Sequence, residues 1–234
     1  MKGTSIRYLN ARQILDSKGK PMLEVDVATE GGGFGRAASP SGISAGEHEA
    51  FVLRDGQDNG WNGNSVFQNV DLVKNVIEPA LKGMDITDQE KLDQRLIELD
   101  GTENKSKLGG NTIFSTSLAC LRAAADMAKT PVYMYLNQDG IQSIPLPTYS
   151  YFSGGSYEVG TMPFQEITVV PYKAESIMEA AQIGCKIYDV FPEVLKKHMG
   201  GKEPLNAKGH GWLAPGPDPV QAFDITYEAC VAAG

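Results

Sequence analysis

Hydrophobic and polar positions change rhythm several times along the chain, and each change marks an element. Leu23, Val25 and Val27 alternate with Glu24, Asp26 and Ala28, the period of a half-buried strand. Asp16-Ser17-Lys18-Gly19-Lys20-Pro21 is dense in turn formers and separates this run from an extended run before it. Glu30-Gly31-Gly32-Gly33 turns the chain again ahead of Phe34 to Ala38, so Ile6 to Ala38 predicts a three-stranded antiparallel meander. Asp55 to Asn64 reads as a loop. From Val66 the period becomes helical, with Val66, Val70, Val73, Ile77 and Leu81 on one stripe and a stop or kink at Pro79. Thr87 stands three residues before Glu90, a capping-box spacing, and Leu92, Leu96 and Leu99 form the next apolar face with Gly101 as its C-terminal cap. Thr112 to Lys129, rich in Ala, Leu and Ser, predicts a helix packed close to a neighbour. Residues 1–137 therefore read as an α+β domain.

Asn137 to Ile144 and the stiff Pro145-Leu146-Pro147 form the predicted linker. A second domain, 145–234, opens with two strand-like runs, Thr148 to Ser153 and Ile167 to Val170, on either side of Gly154-Gly155. Ser176 to Phe191 predicts an amphipathic helix with Ile177, Ala181, Gly184 and Tyr188 on one stripe. Pro192 either kinks that helix or starts another. Gly200-Gly201 closes the region, and a last helix is expected from Val220 to Ala233.

Net charge of −8 with no Lys/Arg-rich run speaks against nucleic acid or an anionic membrane as partner, though not against a small anionic substrate. Cys120, Cys185 and Cys230 are odd in number and widely spaced, which supports neither a disulfide framework nor a cysteine zinc site; Cys120 and Cys185 fall within apolar helical patterns. The first residues form no apolar leader and no run approaches membrane-spanning length, so a reduced cytoplasm is the expected compartment. One stretch stands apart. Ser39-Pro40-Ser41-Gly42-Ile43-Ser44-Ala45-Gly46 suits neither helix nor strand; by composition it is a surface turn or a loop that carries exposed hydroxyls.

Several segments together resemble the enolase (phosphopyruvate hydratase) family. Ala11-Arg12-Gln13-Ile14-Leu15-Asp16-Ser17, Leu23-Glu24-Val25-Asp26-Val27, Pro40-Ser41-Gly42 with Gly46-Glu47-His48-Glu49-Ala50, Leu53-Arg54-Asp55-Gly56 and Ile97 to Gly109 carry the likeness, which runs with few gaps from Ile6 to Leu136. Beyond it Gly154-Gly155, Gln165-Glu166, Pro171 and Leu213-Ala214-Pro215 follow the same family more loosely. The resemblance implies the α+β domain followed by an incomplete enolase-type α/β barrel that begins ββαα. It also implies magnesium-assisted interconversion of 2-phosphoglycerate and phosphoenolpyruvate in glycolysis.

Residue by residue, the likeness makes Ser41 a ligand of the second magnesium on a loop that closes over substrate. Gln165 becomes a substrate contact and Glu166 a carboxylate that handles the leaving hydroxyl. Without the likeness, Ser41 is a turn serine and Gln165-Glu166 a polar strand end. Two positions depart from the family. Tyr157 occupies the place of its loop histidine, and His210, counted back from Ala214-Pro215, the place of its acid glutamate. Histidine can act as a general acid near neutral pH; drift in a site no longer used is the other reading. Ile43 and Ala45 replace smaller or hydroxylated residues in the loop, while His48 and His198 read as surface histidines. By the same likeness, the carboxylates of the first magnesium and the lysine base belong to a part of the family sequence beyond the position of Gly234. Three readings therefore stand side by side: a chain impaired in hydratase activity on its own, one subunit of a split enzyme completed by another chain, and a non-catalytic protein that binds through its first domain, as a homo-oligomer or to an enolase-like partner.

Overall fold

The computed structural model describes all residues except 1–2, 43–45, 58–59, 138, 141–142, 156–157, 159–160 and 209. It divides into two compact units, Met1–Ile141 and Gln142–Gly234.

The first unit opens with β1 (Ile6–Leu15), β2 (Pro21–Thr29) and β3 (Phe34–Ala38), an antiparallel sheet in the order β1-β2-β3. The alternation in β2 does what its period dictates: Leu23, Val25 and Val27 are fully buried on one face. The other face carries a charged ladder. Register sets Arg12 opposite Glu24 and Arg36 opposite Asp26; Arg12 pairs with both acids, and Arg36 Nε donates to Asp26 Oδ1 at 2.6 Å.

α1 (Phe67–Leu72), a π-helical turn (Val73–Ile77), α2 (Glu78–Leu81) and α4 (Gly110–Met127) lie on the sheet, while α3 (Gln89–Asp100) and α5 (Val132–Leu136) pack against α4. The small residues of α4 let it lie against β3, where a Cβ on Gly35 would run into the Ala119 carbonyl oxygen. Pro79 does not stop its helix; a widened π turn ends just ahead of the residue that has no N–H to donate. The cap of α3 is Asp88 rather than Thr87: Asp88 accepts from the Lys91 N–H, while Thr87 bonds Asp85. The loop before α1 does more than connect, because Asp55 accepts from the N–H groups of Phe67 and Gln68 and so caps α1 from a distance.

The second unit contains β4 (Tyr149–Ser153), β5 (Glu166–Val169), α6 (Ile177–His198), β6 (Trp212–Leu213) and α7 (Pro219–Ala233). Its sheet runs β5-β4-β6, with β4 antiparallel to β5 and parallel to β6; it is open, a partial barrel. Tyr151 and Phe152 pack on Phe191 of α6, at ring-centroid distances of 5.1 and 5.0 Å.

Ser176 caps α6, and Pro192 lies inside this one continuous helix. The buried stripe of α6 is Ala180, Gly184, Ile187, Phe191, Val194 and Leu195, while Ile177 and Tyr188 are exposed. The stripe is thus rotated from the expected one, since Phe191 is the residue that the β4 aromatics claim. Cys185 on the same helix is exposed, whereas Cys120 is buried. His198, expected to be a plain surface residue, meets Glu228 of α7 at 2.8 Å.

Candidate active site

The hairpin formed by β4 and β5 places Ser153 directly opposite Glu166, so both side chains share one face of the sheet. The turn back begins at Gly154, whose N–H donates to the Gln165 carbonyl at 2.8 Å. No Cβ fits on Gly154 between Met162 and the Phe164 carbonyl, which explains a glycine there. Gln165 Nε2 reaches Glu166 Oε1 at 3.5 Å.

On the other side of β4, the chain reaches β6 through a tight turn in which the Ala207 N–H donates to the Gly211 carbonyl. Gly211 has φ +65° and sits so close to the Tyr151 carbonyl that a side chain could not be accommodated. This contact fixes His210 beside the strand edge. His210 Nε2 lies 3.2 Å from Glu166 Oε1, with both side chains partly open to solvent. Two residues named from the sequence, 44 positions apart by subtraction of their numbers, therefore meet.

His210 also lines a cavity of about 520 Å³ with Tyr149, Tyr151, Cys185, Tyr188 and Asp189. Burial pushes the Tyr151 phenol far up, so it stays protonated and donates to the Gly184 carbonyl at 2.8 Å. Three polar atoms of this sheet, Ser150 Oγ, Ser153 Oγ and Trp212 Nε1, are buried with no hydrogen-bond partner among the described residues.

Ser41 belongs to the first unit. Its carbonyl accepts from Arg54, which also donates to the Pro21 carbonyl at 2.7 Å. Its hydroxyl bonds Asp16, whose carboxyl is held below its ordinary value first by the Lys20 N–H and then by Ser41. Tyr157, Ile43 and Ala45 lie outside the described residues. Sequence reasoning missed Glu158, a carboxylate only 6% exposed that accepts from the Lys208 N–H. An acid inside a glycine-rich loop, next to Tyr157, was the available signal.

Compared with known families, residues 6–136 match the enolase N-terminal domain and residues 141–234 the enolase C-terminal TIM barrel domain. The chain belongs to the enolase family.

Magnesium is the metal that enolases bind, and it favours several oxygen ligands in near-octahedral array. No group of three or more His, Cys, Asp or Glu side chains converges to hold a metal among the described residues. The Ser41 hydroxyl is engaged with Asp16. These donors do not make up an enolase magnesium site, and no chemical step below is routed through the ion. What the enolase barrel start does hold is a carboxylate and an imidazole sharing one hydrogen-bond distance, a unit able to pass a proton to or from a hydroxyl. No helix among the described residues is long and apolar enough to cross a membrane.

Proposed function

We propose that this enolase-like protein keeps the hydroxyl-handling corner of a hydro-lyase site in altered form, and that the chain alone interconverts 2-phosphoglycerate and phosphoenolpyruvate poorly or not at all. The observation that carries this reading is the His210–Glu166 contact of 3.2 Å. Glu166 stands where the likeness puts the carboxylate that handles the leaving hydroxyl, and His210 stands at the place of the acid. The pair can protonate a departing hydroxyl, with His210 as donor and Glu166 as the group that orients the imidazole. Dehydration also needs removal of a carbon-bound proton and stabilisation of the charge that follows, and the two do not supply these. Local charge supports impaired turnover as well. Glu166 contacts the histidine and Asp189 lines the same cavity, an unfavourable field for a phosphorylated carboxylate.

The test is phosphoenolpyruvate formation from 2-phosphoglycerate, followed by ultraviolet absorbance with saturating magnesium. Turnover at or near the blank agrees with the proposal; robust turnover by the purified chain sinks it.

A second reading, association with another enolase-like chain or a second copy, draws on α7. Val220, Phe223, Tyr227 and Val231 recur at three and four along it and are all more than half exposed, an apolar stripe left uncovered among the described residues. Sedimentation of the purified chain, alone and mixed with an enolase, decides it; a monomer in both cases removes this reading.

A further inference from the structure

The hairpin that carries Glu166 grips the His210 turn at two points. Glu166 does so through the imidazole, at 3.2 Å. Glu158, from the loop of the same hairpin, does so through the Lys208 backbone N–H, two residues before His210. Glu158 is almost fully buried, and the Thr161 hydroxyl donates to its carbonyl at 2.6 Å. A buried carboxylate loses its hydration and is tolerated only where strong donors replace it. A plain surface loop has no need of such a group. Gly211, on the far side of His210, is held as well: its carbonyl accepts from the Ala207 N–H at 3.1 Å, and it is pressed against Tyr151. The chain that carries the imidazole is thus anchored on both sides of His210, at Lys208 by Glu158 and at Gly211 by Tyr151.

We propose that Glu158 is a positioning residue, which anchors the chain at Lys208 so that the His210 imidazole faces Glu166. Loss of Glu158 releases the turn at Lys208 and separates the pair without touching either member. The inference rests on the reading of His210 and Glu166 as the working pair, but its test needs neither substrate nor magnesium.

The protein has only His48, His198 and His210, so the ring nitrogens can be followed one by one in nitrogen-15 spectra. Glu166→Gln defines the signals of a His210 that has lost its carboxylate. Glu158→Ala is expected to move His210 toward those signals and to displace the Lys208 amide. Glu158→Gln, whose side-chain oxygen still accepts from that amide, is expected to keep His210 at its wild-type position. His198 stays unchanged in all variants and reports an intact fold. The proposal is overturned if Glu158→Ala leaves the His210 ring signals in place, or if Glu158→Gln shifts them as far as alanine does. Should the alanine variant not fold, Glu158→Asp retains the charge on a shorter arm; a displaced Lys208 amide with an unmoved His210 overturns the proposal equally. Failure of the proposed function would appear instead in the turnover assay, with these signals unaffected.

Discussion

Asp26 shows how one residue can be read through to its energetics. It is 5% exposed, opposite Arg36 in the register, and bonded by both Arg36 and Arg12. Asp26→Asn removes the charge that both guanidinium groups were placed to meet. Because the arginines remain partly solvated, the expected loss is about 1–3 kcal/mol, measured by urea unfolding; no loss would mean the ladder is idle. Asp100 bears on acid stability. Burial raises its carboxyl, but the Thr102 hydroxyl and the N–H groups of Leu108 and Thr102 outweigh this and hold it below the ordinary 3.8. Asp85 and Asp126 are lowered too, in each case first by a backbone N–H, from Thr87 and Phe34 respectively. A depressed carboxyl stabilises the fold above its unfolded value and loses that contribution as pH falls through the folded one. The thermal midpoint should therefore be level from about pH 7 to 5 and fall below about pH 4; a midpoint that rises on acidification would contradict the assignment.

Among the elements, the meander was legible because β2 buries one face against the core, so its period-two alternation shows in Leu23, Val25 and Val27. Helix faces were less legible. The stripe of α6 was misplaced because Ile177 and Tyr188 are apolar yet exposed, and only the aromatic cluster on β4 decides that Phe191 turns inward. Caps formed by distant residues, such as Asp55 on α1, have no local spacing to betray them. The close approach of α4 was readable from its small residues, but its partner glycine was not. Gly35→Ala pushes a methyl into the Ala119 backbone, where no side chain can yield, and should cost about 2–3 kcal/mol in thermal or urea unfolding. An unchanged stability would show that the two elements separate easily. In the site, the type and place of Gln165, Glu166 and His210 came from likeness, while the His210–Glu166 contact and the buried Glu158 beside Lys208 came from the fold alone.

For the molecule as a whole, two compact units joined through a proline-bearing stretch should not respond to protease alike. The first has a core that links its three strands to helices α1 through α4; the second leaves an open sheet and an apolar helix face. Limited proteolysis is expected to cut between residues 137 and 148 first and to leave a resistant fragment spanning Ile6 to Leu136. Early destruction of that fragment would mean the enolase N-terminal fold is not the stable part. Its intactness also frames the proposed function, in which an enolase-family scaffold carries the His210–Glu166 pair at 3.2 Å. The most direct test is phosphoenolpyruvate hydration at saturating magnesium by the purified chain, run beside His210→Ala. The account predicts that both proteins stay near the uncatalysed blank; fast hydration by the wild type that collapses in His210→Ala would contradict it.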